Sequence, residues 1–280
     1  MKMKITALVE NTSCKEGIAF EHGLSLFIET KGKTILFDTG ASSMFAKNAE
    51  LLQVDIAKVD LAILSHGHYD HSGGIGTFLK KNSTAPIYMR KAAFGPFYSQ
   101  REGGEYAFIG IDKELLSNNR VIFSAAETPI GEGISLFSNV KGKRLFPTGN
   151  KSLLEKTRDG YIQDDFSHEQ NLVIREDGIS LLVSGCSHKG IVNIVDQFYN
   201  LYGHYPTHVI GGFHLYNHRT GEPENEETLR AIAEALLSSG ATYYTCHCTG
   251  EDNYNALRAH MGDKVHYLSG GKILKLESVQ

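Results

Sequence analysis

Long hydrophobic runs are absent: no apolar stretch approaches membrane-spanning length, which argues against a membrane-embedded chain. A basic excess is absent as well. The 28 Lys and Arg are outnumbered by 32 Asp and Glu, and a formal net charge of −4 argues against general nucleic-acid binding. Cysteine is scarce, limited to Cys14, Cys186, Cys246 and Cys248. Cys246 and Cys248 are too close in sequence for a normal bridge, so no disulfide framework is expected and a reducing, cytoplasmic setting fits best. An export signal is not expected either. Met1-Lys2-Met3-Lys4 leads straight into Ile5-Thr6-Ala7-Leu8-Val9, which is too short for a signal peptide and reads as a first strand.

What is present is an ordinary globular composition. With 280 residues and 41% hydrophobic side chains, the chain suits one domain over 1–280, near the upper size for a single core. A small-molecule substrate is the expected partner, for a monomer or homodimer.

Against this background one stretch stands out, Leu64-Ser65-His66-Gly67-His68-Tyr69-Asp70-His71-Ser72-Gly73-Gly74. Three histidines and an aspartate fall within six positions, directly after the short apolar run Leu61–Leu64, which reads as a buried strand. His66 and His68 then lie on the loop at its carboxyl end, and Asp70 and His71 begin a helix whose body is Ile75–Lys81. Imidazole nitrogens and carboxylate oxygens suit a divalent metal of intermediate softness. His66 and His68 form one pair of ligands; Asp70 and His71 point elsewhere and suit a second ion. This is a metal site.

The pattern His66-x-His68-x-Asp70-His71 followed by Gly73-Gly74 resembles the signature of the metallo-β-lactamase-fold hydrolases. The resemblance implies an α+β fold, a four-layer αββα sandwich of two pseudo-symmetric halves, with a one- or two-metal centre at one edge. Two divalent ions are expected, zinc first, with iron or manganese as alternatives.

Along the chain, strands are predicted near 4–9, 24–29 and 34–37, with a hairpin turn at Lys31-Gly32-Lys33. A helix covers Ser43–Leu52. From about 90 to 119 no clean period survives, and Phe94, Phe97, Tyr98, Tyr106 and Phe108 alternate with Arg90, Lys91 and Arg101; this segment is expected to be an irregular cap-like insertion near the site. The second half repeats the order of elements: strands near 121–123, 134–137, 172–174 and 179–184, with a hairpin turn at Asp177-Gly178. Helices at Lys189–Leu201 and Pro223–Ser239 alternate with strands at 207–210 and 241–245, before a last strand at 272–276.

Histidines at strand ends narrow the remaining ligands, because sites in open α/β architectures gather at the carboxyl ends of strands. His188, His214 and His247 have that placement, and His168 precedes a strand. His22, His204, His208, His218, His260 and His266 lack it and are read as structural or solvated. Asp38, at the end of a buried strand, is a candidate to hold a ligand imidazole through its other N–H.

A longer ordered series narrows the resemblance: Phe37-Asp38-Thr39-Gly40, the histidine stretch, His168-Glu169-Gln170, Gly185-Cys186-Ser187-His188-Lys189-Gly190, Gly211-Gly212-Phe213-His214 and His247-Cys248-Thr249-Gly250. It is similar to the branch named for 7,8-dihydropterin-6-methyl-4-(β-D-ribofuranosyl)aminobenzene-5′-phosphate synthase. The resemblance implies that His168 takes the third metal motif, with Glu169 as rival or supporting carboxylate. At the fourth motif, normally a bridging aspartate, Cys186 stands instead with His188 two positions on, and at least one of them is expected to bind. His247 takes the fifth.

The expected activity is hydrolysis by a metal-activated hydroxide on a small phosphate-containing, pterin- or nucleotide-like substrate. Asp70 and His214 are the candidate catalytic groups, and Ser187, Lys189 and Gly190 at a helix start form a candidate phosphate seat. The rival reading is a non-hydrolytic metal-binding or redox-sensing protein, suggested by Cys186, Cys246 and Cys248.

Overall fold

In a computed structural model, residues 3–217 and 221–277 are described; His218 lies outside them. The first half runs β1 (Met3–Val9), β2 (Ser25–Glu29), β3 (Thr34–Phe37), α1 (Met44–Leu51), β4 (Leu61–Ile63), α2 (Tyr69–Ser72), α3 (Ile75–Lys81) and β5 (Ile87–Met89). Then come β6 (Phe97–Gln100), β7 (Tyr106–Phe108), β8 (Val121–Phe123), β9 (Glu127–Gly131), β10 (Ile134–Ser138), β11 (Leu153–Thr157) and β12 (Gly160–Gln163). The chain continues with β13 (Gln170–Glu176), β14 (Ile179–Val183), α4 (Ile191–Tyr202), β15 (His208–Gly211), β16 (Tyr216–Asn217) and β17 (Glu222–Pro223). It closes with α5 (Glu226–Ser238), β18 (Thr242–Thr245), α6 (Glu251–Met261), β19 (Val265–Tyr267) and β20 (Ile273–Leu276).

Two seven-stranded sheets, ordered β20-β1-β2-β3-β4-β5-β8 and β19-β18-β15-β14-β13-β10-β9, form the two inner layers. Strand alternation makes the layers. Ile35 and Phe37 of β3 face the core between the sheets while Leu36 faces the helical side; on β14, Leu181 and Val183 face in while Leu182 faces out. The outer faces are covered by α1 and α3 on one sheet and by α4, α5 and α6 on the other, giving three apolar interfaces between four layers. The fold is the αββα sandwich.

Each sheet is antiparallel on one side and parallel on the other. The parallel runs are β3-β4-β5-β8 and β14-β15-β18-β19, joined by helical crossovers except from β5 to β8, where the chain passes through β6 and β7. This repeated plan puts the carboxyl ends of both parallel runs at one edge of the sandwich. Among the described residues no helix is long and apolar enough to cross a membrane.

One expectation is corrected here. The segment expected to be irregular supplies β6 and β7, which join β11 and β12 in a separate sheet ordered β12-β11-β6-β7. The period was hidden because Tyr106 and Phe108 are exposed apolar residues, while the buried face of β6, Phe97 and Ser99, meets a small cluster with Ile109, Leu153 and Phe166.

Candidate metal centre

The candidate residues are positioned by strands running out of partners. The edge-on strand β4 is flanked by β3 and β5, and its pairing ends when Leu64 donates to the Tyr88 carbonyl. The next amide, Ser65 N–H, goes instead to Asp38 Oδ1 at 2.7 Å. Gly67 follows where a Cβ would strike the Ala93 backbone, so only glycine allows the turn between His66 and His68 to sit this close. The loops after β14, β15 and β18 deliver Cys186 and His188, His214, and His247 to the same edge.

The donors gather into overlapping groups. His66, His68 and His188 form one; Asp70, His71, Cys186 and His247 form a second; Cys186 also groups with His188 and His214. In the first, His66 Nδ1 donates to Ser65 Oγ at 2.8 Å, because the Ser65 hydroxyl proton is committed to Asp38 Oδ2 at 2.7 Å. His188 Nδ1 donates to Asn150 Oδ1 at 3.0 Å. With the δ nitrogens protonated, the two ε nitrogens carry lone pairs, and they face each other across 3.3 Å. His68 Nε2 is buried beside them with no hydrogen-bond partner among the described residues, Asp164 Oδ2 being 3.9 Å away.

The second group repeats the arrangement. His71 Nδ1 donates to Asp38 Oδ2 at 2.6 Å and His247 Nδ1 donates to Asn11 Oδ1 at 2.7 Å. Their ε nitrogens lie 3.2 Å apart, with Asp70 Oδ2 3.2 Å from His247 Nε2 and Cys186 Sγ 3.1 Å from His71 Nε2. Buried lone pairs in contact repel unless a cation sits among them. The donor chemistry fits a divalent metal in both groups.

The family model of the metallo-beta-lactamase superfamily matches residues 19–217. The chain belongs to that superfamily. Over 274 residues it is 30% identical to the 7,8-dihydropterin-6-methyl-4-(beta-D-ribofuranosyl)-aminobenzene-5'-phosphate synthase of Methanocaldococcus jannaschii, covering 91% of this chain and 90% of the relative. The crystal structure of Tm1679, a metal-dependent hydrolase of the beta-lactamase superfamily, superposes with a TM-score of 0.83 at 30% identity, covering 98% of this chain and 99% of that one. The metallo-beta-lactamase fold protein YhfI from Bacillus subtilis shares the fold at 15% identity, with a TM-score of 0.59 over 98% of this chain and 100% of that one.

Within this metallo-beta-lactamase frame, two sequence expectations change, those for Glu169 and for the phosphate seat. His168, expected as a ligand, joins His68 and Asp164 in a further donor group, where its Nδ1 accepts Gly67 N–H at 3.0 Å and its Nε2 donates to Asp164 Oδ2 at 3.0 Å. It also braces the histidine turn, and His188 lies beside His66 and His68 in the first group. Glu169, the rival ligand, turns away from the donor groups. Its two oxygens accept the backbone N–H groups of His188, at 2.6 Å, and Lys189, at 3.0 Å. That also removes the phosphate seat at Ser187, Lys189 and Gly190. The Lys189 amide is already taken by that carboxylate, Gly190 N–H goes to the Ser187 carbonyl, and the buried Ser187 hydroxyl donates to Ser184.

Four residues that sequence reasoning set aside or missed lie at the centre. His22 Nε2 is 3.3 Å from Asp70 Oδ2. Asn11, Asn150 and Asp164 each hold an imidazole. Asn11 lies two positions after β1, so strand-end placement was the signal available for it; Asn150, in a short 3-10 helix, and Asp164, in a loop, carry no motif. His204, His208, His260 and His266 join no donor group among the described residues.

Electrostatics favour neutral imidazoles. Burial, then the neighbouring His71, holds His66 well below its ordinary pKa, and burial, then His214, does the same to His188. His247 is lowered to about 3, chiefly by burial. His71 is raised: burial opposes the proton, but the Asp38 and Asp70 carboxylates outweigh it. Asp70 stays ionised against burial because His71, His22 and His247 surround it. A cleft of ≈ 620 Å³, mouth included, opens onto Asp70, Cys186, His188 and His214.

Proposed function

We propose that the protein is a binuclear metallohydrolase acting on a small phosphate-containing substrate, pterin- or nucleotide-like. The observation that carries this is the pair of buried, facing imidazole contacts, His66 to His188 and His71 to His247, behind a cleft lined by His68, Asp70, Cys186 and His188. His66, His68 and His188 would hold one ion, and Asp70, His71 and His247 the other, with Cys186 between the groups. When bound, such ions supply hydroxide near neutral pH and relieve charge developing on the substrate.

The chain's own residues do the rest. Asp38 fixes the His71 tautomer directly and that of His66 through Ser65, so both ε nitrogens stay available. Asp70 presents an ionised oxygen to the cleft, and His22 steadies it. His214 sits in the left-handed region at φ 50°, a conformation that costs a residue with a Cβ, and its ring centroid is 4.2 Å from that of His188. We assign it proton transfer to the leaving group. The four-stranded sheet of β6, β7, β11 and β12, which supplies Ser99 and Leu153 to the cleft, is the cap over the site within one domain.

The substrate assignment draws on the name of the archaeal relative. Metal-reconstituted protein assayed on phosphodiester, lactone and thioester substrates tests it. Turnover of the phosphodiester that is abolished by His66→Ala and by His247→Ala supports the reading, and turnover unaffected by both sinks it.

A further inference from the structure

The β6–β7 hairpin runs outward from the metal centre, and its inward face is spaced by the strand period. Phe97 packs on the wall of the site, its ring centroid 4.1 Å from His168 and 5.9 Å from His68. Ser99 is next on that face and is buried in the cleft wall. Arg101 is the third, reaching the cleft from a position where its N–H still pairs with the Glu105 carbonyl at 2.8 Å. Successive same-face residues lie about 7 Å apart along a strand, so Arg101 stands roughly 14 Å along it from Phe97.

Arg101 is the sole Lys or Arg lining the cleft, and no carboxylate lies within ion-pair distance of it among the described residues. The one carboxylate lining the cleft, Asp70, is engaged by His22 and His247 at its floor. The Arg101 charge bears on the Tyr69 phenol across the cleft, where burial and Asp70 push the pKa up and Arg101 pulls it back. The other candidate anion seat near the centre, the loop leading into α4, has its His188 and Lys189 amides taken by Glu169. An anionic arm on a substrate therefore has one charged partner in this cleft, at its mouth.

We propose that Arg101 is the anion subsite of the cleft, selecting substrates in which a phosphate or carboxylate is separated from the scissile bond by a spacer the length of a sugar or an aromatic ring. This deepens the hydrolase reading and rests on it for the identity of the scissile end. A guanidinium binds either anion through paired N–H donors, so the two share one chemistry here.

The test uses metal-loaded full-length protein and three hydrolysis-resistant phosphonate esters with the same six-carbon arm, ending in a carboxylate, a phosphate or an uncharged amide. Binding is measured by calorimetry. The wild type is expected to bind each charged arm roughly tenfold tighter than the amide, the gain of one charge-assisted hydrogen-bonded pair near a surface. Arg101→Gln shrinks that gain to less than twofold, and Arg101→Lys restores part of it. Equal gains in the wild type and Arg101→Gln overturn the proposal, as does a wild type that binds all three esters alike or not at all. A gain that depends on Arg101 in a protein that cleaves no phosphodiester would keep the subsite and reject the hydrolase reading; cleavage without the gain would do the reverse.

Discussion

His66 and His188 aim unprotonated ε nitrogens at each other across 3.3 Å, although 122 residues separate them in the chain. Each δ nitrogen is protonated toward a fixed oxygen, so neither ring can relieve the contact by changing tautomer. His188→Ala is expected to lower bound metal from two ions to one per chain, measured by elemental analysis after dialysis. His168→Ala is expected to keep two ions at saturating metal while weakening affinity by about 10-fold to 100-fold, the range seen when a group behind a ligand is removed. Loss of an ion in His168→Ala would return that residue to the ligand set.

Asp38 accepts three hydrogen bonds while fully buried, from Ser65 N–H, Ser65 Oγ and His71 Nδ1. Asp38→Ala strips the partner from all three donors at once. The expected cost is about 3–5 kcal/mol of unfolding stability, measured by denaturant titration of the metal-free protein. Metal affinity should fall too, because the His71 ring loses the anchor that sets its tautomer.

Metal-free protein should lose stability as pH falls. His66, His68, His188 and His247 all have folded pKa values below the ordinary 6.5, so the unfolded chain binds their protons first. The stability these groups contribute is complete above pH 6.5 and is lost on acidification, down to about pH 3 for His247, at about 1.4 kcal/mol per pH unit for each proton. His71 has the opposite sign: its raised pKa adds stability below pH 6.5 that is lost as pH climbs through the folded value. His208, also lowered, adds to the loss, while the raised carboxyls of Glu10 and Glu169 act with His71; the lowered rings outnumber these groups, and thermal melts from pH 8 to pH 5 check the net direction. A melting temperature that rises on acidification would contradict the assignment of neutral rings.

Cys186 stands where its thiol, raised by burial and by Cys248, needs a cation to ionise. Cobalt-substituted protein is expected to show a near-ultraviolet sulfur-to-metal charge-transfer band that disappears in Cys186→Ser. A band that persists in the variant would place the thiolate ligand elsewhere.

Much of this was legible from sequence where local chemistry decides the outcome. The run from His66 to His71, the helix over 75–81 and the Asp177-Gly178 turn, with φ of 48° and 76°, follow from residues adjacent in the chain. What stayed hidden depended on which distant group claims an atom. That His168 would find Asp164 as a neighbour, and hold the Gly67 N–H with its other nitrogen, could not be read from the sequence. Likewise, the glycine-rich start of α4 looks open to phosphate until Glu169, from before β13, fills it. Strands β6 and β7 escaped for a related reason: the partner of β6 outside this hairpin, β11, is far along the chain (Ser99 pairs with Leu153), and the outer face of this small sheet carries aromatic side chains.

Anomalous scattering from crystals grown with zinc tests the centre most directly. Two peaks are predicted, one bounded by His66, His68 and His188 and the other by Asp70, His71 and His247, with His168 outside both. A single peak among His68, Asp164 and His168, or no peak at either predicted position, would contradict the account.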